Sequence, residues 1–345
     1  MSKRQLPLIT IGIIVLNREW VIGKVLNNIL SQTYPHEKIF VLVVDGGSID
    51  KTIEICRMLL EKSDFYGFEI ILQRCNIPEG RNICIERMLG DFLLFWDSDI
   101  LMEPDAIQKM VETLEDEKAD IVTADTVFVF ANTMNEAEEK IKLLKECIRG
   151  EPKRGTSNVR LVPACMMGHT LIRKEVFSHI KFDPDLTLYE DMDFSVRARK
   201  KGFKIMKNTD VIAFDINLTS EKYSDIFTEM PIKDSLRGLR KKAKAKVLSL
   251  NFSISLVDMV KYYWKNKRYL MYLSYLPVMV LLIPGFVCRN WALIILPFMY
   301  PTFYMLYQAR KRGFKKGLAI FMRSFLVGFP LSLLMIYYFA RSKLH

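Results

Sequence analysis

Short apolar runs alternate with amphipathic stretches along roughly the first hundred residues. The runs lack polar alternation, which is typical of strands buried on both faces of a sheet; they are 8–16, 39–44, 68–73 and 91–96. The stretches between them predict helices at about 20–31 and 51–62 and, after a loop at 76–82, a third helix reaching Leu89. This order predicts an α/β fold with a parallel sheet, whose ligands bind at the carboxyl ends of the strands.

The pattern continues less regularly as far as Asp215, where a last strand is expected to end. Before it we predict an amphipathic helix, a strand, a charged helix and a basic loop, at 102–117, 121–130, 135–149 and 151–160. The charged helix and the loop are expected to cover a bound ligand, to shape a ligand site, or to be a plain surface excursion.

The character of the chain changes at Asp234. Apolar residues recur at helical spacing over 234–250, and arginine and lysine fill most other positions, which predicts a basic amphipathic helix lying on anionic membrane lipid. Apolar and aromatic residues suited to the membrane interface continue as far as Trp264. Nucleic acid is the alternative partner, but no aromatic residue interleaves the basic run, so no nucleic-acid partner is predicted.

Two uncharged blocks, 269–288 and 291–309, approach the ~20 residues that a membrane span needs. Residues 317–340 offer a third span, which Arg323 interrupts. Basic residues flank the first two spans at their outer ends, which predicts a multi-pass membrane protein with a cytoplasmic catalytic domain. The predicted divisions are a catalytic domain, basic amphipathic interfacial helices and a transmembrane region of two to three helices, at 1–230, 231–266 and 267–345.

The net charge and the cysteine and histidine content point to a lipid surface but indicate no catalytic site. The net charge of +11 lies largely beside the hydrophobic blocks, which favours a lipid surface as its partner. The six cysteines form no C-x-x-C pair and the four histidines are isolated, so neither a zinc site nor a redox motif is indicated. Residues 6–16 lack a small-residue cleavage site and predict a strand rather than a signal peptide.

Two carboxylates end the apolar strand at 91–96. Asp97 and Asp99 are separated by one residue and point to the same side of an extended chain, so both can bind one cation. Hard oxygen ligands favour Mg²⁺ or Mn²⁺ as that cation. A turn or a helix cap is the alternative explanation of such a pair. A second acidic loop follows the neighbouring strand, with Asp45 and Asp50.

A third acidic group, Glu190, Asp191 and Asp193, precedes a helical stretch. Carboxylates are favourable at a helix start, so capping is a complete alternative to a catalytic role.

Several short motifs follow one another along the chain: Asn17-Arg18, Gln32-Thr33-Tyr34-Pro35, Val44 to Asp50, Gly80-Arg81-Asn82, Gly90-Asp91 and Asp97-Ser98-Asp99. In order and spacing they resemble the inverting family 2 glycosyltransferases, which have the GT-A fold. The resemblance covers roughly Ile9 to Lys207.

The resemblance implies a nucleotide-diphosphate sugar as donor and a divalent cation held mainly by Asp99, with Asp97 assisting. It implies a nucleotide-sugar site formed by Asn17, Asp45, Asp50, Arg81 and Asp97, with Asp45 at the base and Arg81 near the phosphates. It also implies a general base that takes the proton of an acceptor hydroxyl. That base is Asp191, supported by Glu190 and Asp193. Gly168 and Asp193 are expected on the acceptor side, where Gly168 would admit an acceptor sugar. His169 is expected to be a packing or supporting residue.

The chain departs from the family pattern at two points. Residues 14–16 lead into Asn17 without the usual tyrosine, and Gly46 rather than a second aspartate follows Asp45.

The expected function is a membrane-anchored inverting glycosyltransferase that moves a sugar from a nucleotide-diphosphate sugar to a lipid-linked acceptor. One alternative is a polyprenyl-phosphate glycosyl synthase, whose phosphate acceptor hardly needs a base. The other is an inactive sugar-nucleotide sensor or membrane scaffold.

Overall fold

The computed structural model describes residues 6–150, 158–187 and 189–218, together with scattered positions between 302 and 334. The chain divides into two compact units, Met1–Lys222 and Tyr223–His345. The predicted interfacial helix at 234–250 and the predicted spans fall outside the described residues, apart from those scattered positions. Among the residues that are described, no helix has the length and apolar character needed to cross a membrane.

The first unit is built from strands and helices in alternation. Its strands are β1 Ile9–Val15, β2 Ile39–Asp45, β3 Gly67–Leu72, β4 Phe92–Trp96, β5 Ile100–Met102, β6 Ile121–Ala131, β7 Val159–Leu161, β8 His169–Arg173 and β9 Ile205–Leu218. Its helices are α1 Ile22–Leu30, α2 Thr52–Leu60, α3 Ile77–Arg87, α4 Ala106–Asp116, α5 Met134–Gly150, α6 Lys174–His179 and α7 Glu190–Lys200.

All nine strands form one mixed sheet in the order β3-β2-β1-β4-β8-β6-β9-β5, with β7 paired to β9. The four strands predicted from the apolar runs are parallel, as expected. Beyond β4 the sheet changes character, because β8 runs antiparallel to both β4 and β6. The carboxyl ends of β1, β2 and β4 therefore meet at one edge, beside an antiparallel extension.

Each face of the sheet is covered by helices, which explains the unbroken apolar runs. Successive residues of β4 point into opposite layers of the core. Trp96 belongs to the layer that contains apolar residues of α1, α2, α4 and α5, and Phe95 to the layer that contains those of α3, α6 and α7. Both side chains are fully buried. The acidic residues that follow Trp96 thus emerge from a strand fixed by packing on both sides.

The predicted loop at 76–82 is wrong, because α3 already begins at Ile77. Asn76 caps the helix by accepting from the backbone N of Glu79 at 2.9 Å, and Glu79 accepts from the backbone N of Asn76 at 2.8 Å. This reciprocal capping box satisfies two donors at the helix start. Arg81 consequently lies on a helix and not in a loop.

The helix predicted from residue 102 begins later, at Ala106. Residues Ile100–Met102 form β5, which pairs with β9 and places Ile100 opposite Asp215. That partner is distant in the sequence, so no local pattern of apolar residues indicates the strand.

Candidate active site

The loops that follow β1 and β2 are joined by hydrogen bonds. Asn17, which has a left-handed backbone (φ 51°), accepts from the backbone N of Ile49 at 2.9 Å. Its own backbone N donates to Ser48 Oγ at 2.8 Å, and the backbone N of Arg18 donates to Thr52 Oγ1 at 2.7 Å. The two loops therefore form one connected wall at the carboxyl edge of the sheet.

Asp45 shapes the second of these loops. Its buried carboxylate accepts from the backbone N of Gly47 at 3.2 Å, the backbone N of Ser48 at 3.0 Å and Ser48 Oγ at 2.5 Å. Gly47 has a φ of 109°, which side chains disfavour, so the tight turn around the carboxylate depends on glycine. Both oxygens of Asp45 are engaged within the loop, and its contact with a nucleotide base stays a prediction.

Asp50 occupies the other end of the same loop. It accepts from the backbone N of Glu19 at 3.1 Å, and from the backbone N and Oγ1 of Thr52 at 3.0 and 2.5 Å. Burial alone would raise the pKa of this carboxyl, but these hydrogen bonds outweigh it and leave the pKa below its ordinary value. Asp50 is thus an anion that positions the start of α2, near the predicted nucleotide site.

Gly168 explains how Asp97 fits at the end of β4. The backbone N of Asp97 donates to the Gly168 oxygen at 2.8 Å, and a Cβ on Gly168 would collide with the Asp97 carboxylate. The absence of a side chain at residue 168 is therefore required by the neighbouring Asp97. An acceptor contact at Gly168 stays a prediction.

Three carboxylates and two arginines set the charge at this edge. Asp99 is 18% exposed and lies 3.8 Å from Arg18 Nη2, while Asp97 is 40% exposed and lies 3.7 Å from Arg81 Nη2. Burial, together with the neighbouring Asp97 and Asp215, raises the pKa of Asp99 to about 7. Burial and Asp97 raise the pKa of Asp215 to about 6. Burial is the larger cause of both shifts, and the neighbouring carboxylates add to it.

Asp215 was not predicted from the sequence as a site residue. It lies on β9 opposite Ile100, and the backbone N of the next residue, Ile216, donates to the backbone carbonyl of Asp99 at 3.0 Å. The only local signal is an isolated carboxylate between apolar neighbours on a strand.

The donor set fits a hard divalent cation. Asp97 and Asp99 supply carboxylate oxygens at a place where nearby groups leave excess negative charge. Within the described part of the chain, no three His, Cys, Asp or Glu side chains are arranged as a complete metal site. This arrangement suits Mg²⁺, which proteins bind through one or two carboxylates together with substrate phosphates. The predicted cation is consistent with these residues.

Arg81 connects the end of β4 to the start of α7. Its side chain is 4% exposed, and its Nη1 donates to Glu190 Oε1 at 2.7 Å. Burial alone would lower the pKa of Arg81, but the carboxylates of Glu190, Asp97 and Asp191 raise it above its ordinary value. The guanidinium also lies 5.4 Å from the centre of the Phe182 ring. Arg81 is thus held beneath the acidic cluster, and direct contact with donor phosphates stays a prediction.

Asp191 lies in the first turn of α7, next to Glu190. Its Oδ1 accepts from the backbone N of Met192 at 2.7 Å. Burial and the charge of Glu190 raise the pKa of Asp191 to about 6, against the opposing effect of Arg81. A carboxylate tuned in this way is more basic than an ordinary aspartate, which suits a proton acceptor near neutral pH.

The third acidic residue of this group has a local role. Asp193 Oδ2 accepts from Arg197 Nε at 2.7 Å and lies 2.6 Å from Arg197 Nη2, one turn along the same helix. Asp193 is therefore paired within α7, and its support of Asp191 stays a prediction.

His169 is confirmed as a packing and supporting residue. Its Nδ1 is 3.2 Å from Thr123 Oγ1 and its Nε2 is 2.8 Å from Thr126 Oγ1. Burial lowers the pKa of His169 to about 4, so the ring is neutral. It joins β8 to β6 directly beside the end of β4, where His169 pairs with Trp96.

Comparison with solved structures identifies the class of fold. The mannosyltransferase PcManGT from Pyrobaculum calidifontis, in complex with GDP-Man and Mn²⁺, is similar at a TM-score of 0.51 and 14% identity, covering 98% of this chain and 87% of that one. GalNAc-T7 with UDP, GalNAc and Mn²⁺ is similar at a TM-score of 0.52 and 13% identity, covering 77% and 55%. The fold is therefore α/β and GT-A-like, as predicted.

Sequence comparison identifies the family. Residues 10–181 match the model for glycosyl transferase family 2, so the chain carries a glycosyltransferase family 2 domain. The prediction of a glycosyltransferase is confirmed at the level of this domain.

Two curated relatives match across the same region. A Methanococcus voltae protein, named dolichyl N-acetyl-α-D-glucosaminyl phosphate 3-β-D-2,3-diacetamido-2,3-dideoxy-β-D-glucuronosyltransferase, is 26% identical over 214 residues, which are 59% of this chain. Glycosyltransferase AglE of Haloferax volcanii is 29% identical over 212 residues, which are 60% of this chain. The matches span 65% and 66% of these relatives, just under two thirds of their length.

Proposed function

We propose that the protein is a membrane-anchored, inverting glycosyltransferase that transfers a sugar from a nucleotide-diphosphate sugar to a lipid-linked acceptor. The observation that carries the proposal is the buried Arg81, which joins the acidic end of β4 to the helix start that bears Asp191. One cluster thus combines two carboxylates suited to a cation with a separate carboxylate suited to proton transfer.

The residues divide the reaction between them. Asp97 and Asp99 would hold Mg²⁺ or Mn²⁺, which when bound stabilises the negative charge growing on the diphosphate leaving group. Asp191 takes the proton of the attacking hydroxyl, and its raised pKa makes that transfer more favourable. Glu190 is paired with Arg81 and fixes the start of α7, which orients Asp191. Attack by one activated hydroxyl in a single displacement inverts the configuration of the sugar.

The class of acceptor is supported by similarity. The Methanococcus voltae relative is named for action on a dolichyl-phosphate-linked N-acetylglucosamine. Such an acceptor presents a sugar hydroxyl rather than a phosphate, and a hydroxyl needs a base such as Asp191. We therefore place the hydroxyl of a lipid-linked sugar ahead of a polyprenyl phosphate as the acceptor.

Incubation of the full chain with radiolabelled UDP- and GDP-sugars and a membrane lipid extract is expected to give a labelled lipid with one of the donors. Asp99→Asn serves as the inactive control, because it removes a carboxylate from the diphosphate site. A sensor or scaffold would bind a donor and yield no labelled lipid with any of them. That outcome would reject the proposed activity.

The membrane attachment is a further part of the proposal. It rests on the sequence of the second unit, where the basic stretch 234–250 precedes the uncharged blocks 269–288 and 291–309. Each lysine or arginine near anionic lipid contributes roughly 1 kcal/mol. A cluster of such residues is expected to hold the catalytic domain, on the cytoplasmic side, against the head groups.

Replacing the six basic residues of this stretch by Gln is expected to lower lipid-linked transfer several-fold in anionic liposomes; they are Arg237, Arg240, Lys241, Lys242, Lys244 and Lys246. The loss should disappear in zwitterionic liposomes or at high salt, where the attraction is absent or screened. A matched control replaces six exposed basic residues of the first unit, namely Arg57, Lys62, Lys118, Lys174, Lys200 and Lys201. Equal effects in both variants would contradict an interfacial role.

A further inference from the structure

Two exposed phenylalanines stand side by side on β6. Phe128 is 51% exposed and Phe130 is 61% exposed. Their ring centroids are 6.4 Å apart and their planes differ by 27°. Residues two apart on a strand share a face, so the rings form a continuous aromatic surface. The hydrophobic core does not explain this arrangement, because neither ring is buried in it.

The aromatic surface continues outward from the candidate active site. Beyond Thr123, β6 leaves β8 and extends along β9, which places Phe128 opposite Asp215 and Phe130 opposite Asn217. The residue after Asp215 on β9 is Ile216, whose backbone N donates to the backbone carbonyl of Asp99 at 3.0 Å. The strand that accompanies the two rings is therefore directly bonded to the acidic edge.

The same face of β6 also reaches the Asp97 side of the site. Thr126 lies two residues before Phe128, and its Oγ1 is 2.8 Å from His169 Nε2. It also donates to the Met166 sulfur at 3.6 Å, next to the segment that carries Gly168. The strand is braced at its outer end, because Lys140 Nζ donates to the Phe130 carbonyl at 2.8 Å.

The position separates this surface from the predicted donor loops. In the sheet order, β6 lies three strands away from β1, or roughly 14 Å at the usual spacing between strands. The loops after β1 and β2 are predicted to hold the nucleotide. The aromatic surface lies beyond β4 in the sheet order, on strands other than the two that lead into these loops.

We propose that Phe128 and Phe130 form a platform on which a pyranose ring of the acceptor stacks; this inference rests on the proposed function. The apolar C–H face of a sugar can cover an aromatic ring, and its hydroxyls need polar groups at the edge. Asp215, Asn217 and Thr126 supply such groups around the rings. A polyprenyl chain would instead favour an uninterrupted apolar groove, which these polar residues break.

Direct binding tests the platform without requiring turnover. Saturation-transfer NMR of the full chain with methyl glycosides of glucose, mannose, galactose and N-acetylglucosamine is expected to detect weak binding of at least one. Phe128→Leu, Phe130→Leu and the double variant should reduce that binding roughly three- to tenfold, because Leu keeps apolar contact but lacks a flat ring. Tyr66→Leu, which changes a 60% exposed aromatic residue preceding β3, should have no effect.

Kinetics then place the platform in the reaction. In each leucine variant the ratio of the acceptor KM to the donor KM should rise by about the same factor as the loss of glycoside binding. Thermal unfolding is used to confirm that the variants are folded. Glycoside binding that is absent in the wild type, or unchanged in the double variant, overturns the platform. If instead glycosides bind and the leucine variants lose them while no labelled lipid forms, the platform stands and the proposed acceptor class falls.

Discussion

Asp191→Asn is expected to lower transfer to a hydroxyl acceptor by roughly 10²- to 10⁴-fold, the usual contribution of a positioned general base. The substitution keeps the shape of the side chain and an oxygen that can accept from the Met192 backbone, so α7 should begin as before. It removes the proton-accepting carboxylate. Steady-state assays with the identified donor and acceptor measure the loss, and donor binding measured by calorimetry should change little.

The pH dependence of the transfer rate gives a second test of Asp191 as the general base. The base acts as a carboxylate, and its pKa is raised to about 6, so the rate should rise with pH through this value and level off above it. Asp191→Asn should remove that rise. Glu175→Gln, which neutralises an exposed carboxylate in the first turn of α6, is the matched control and should retain it.

The Asp191 variant also separates the two enzymatic alternatives. A phosphate acceptor is already ionised at neutral pH, so a polyprenyl-phosphate synthase should tolerate the loss of the base. If Asp191→Asn transfers sugar at nearly the wild-type rate, the hydroxyl acceptor and the assignment of the base both fail.

Chelation with EDTA is expected to abolish transfer, and Mg²⁺ or Mn²⁺ should restore it. The reason is that two aspartates at the end of β4 face a diphosphate whose charge they cannot neutralise themselves. Asp99→Asn should resist restoration at ordinary metal concentrations. Full turnover of the wild type in excess EDTA would show that no divalent cation is needed.

The metal prediction has a readout that is independent of activity. Asp99 and Asp215 have folded-state pKa values of about 7 and about 6, above the ordinary value of 3.8. Between these limits Asp99 and Asp215 bind more protons in the folded protein than in the unfolded chain. Their contribution to the stability of the metal-free protein should therefore fall as the pH rises from about 4 to about 7. Thermal unfolding in EDTA across this range measures the trend.

A bound cation should reverse the trend, because it compensates the carboxylates that protons no longer neutralise. Mn²⁺ is therefore expected to raise Tm more at about pH 8 than at about pH 5. Asp99→Asn should weaken both the loss of stability in EDTA and the gain with Mn²⁺. An equal shift in Tm for the wild type and this variant would place the metal elsewhere.

The start of α3 has a local signal in the sequence. Asn76-Ile77-Pro78-Glu79 contains a capping box, which marks the start of the helix at Ile77, inside the loop predicted at 76–82. In the structure Gly80 is buried on the helix close to Ile14, where a larger side chain would crowd β1.

The sequence by itself determined the alternating α/β order, the parallel strands β1 to β4 and the place of the Asp97–Asp99 pair. These features depend on local periodicity and on an apolar run that ends in carboxylates, and both are visible in neighbouring residues. Short motifs in order and spacing also indicated a glycosyltransferase family 2 domain, which the match over residues 10–181 supports.

Only the tertiary structure decided which charges meet. Arg81 pairs with Glu190 across 109 residues, Asp215 reaches Asp99 through the pairing of β5 with β9, and Gly168 is required by Asp97. Sequence periodicity assigns a residue to a face of an element but carries no information about its distant partner. The pKa values of the aspartates, and thus their chemistry, follow from those partners and from burial, because both act over only a few ångströms in the folded chain.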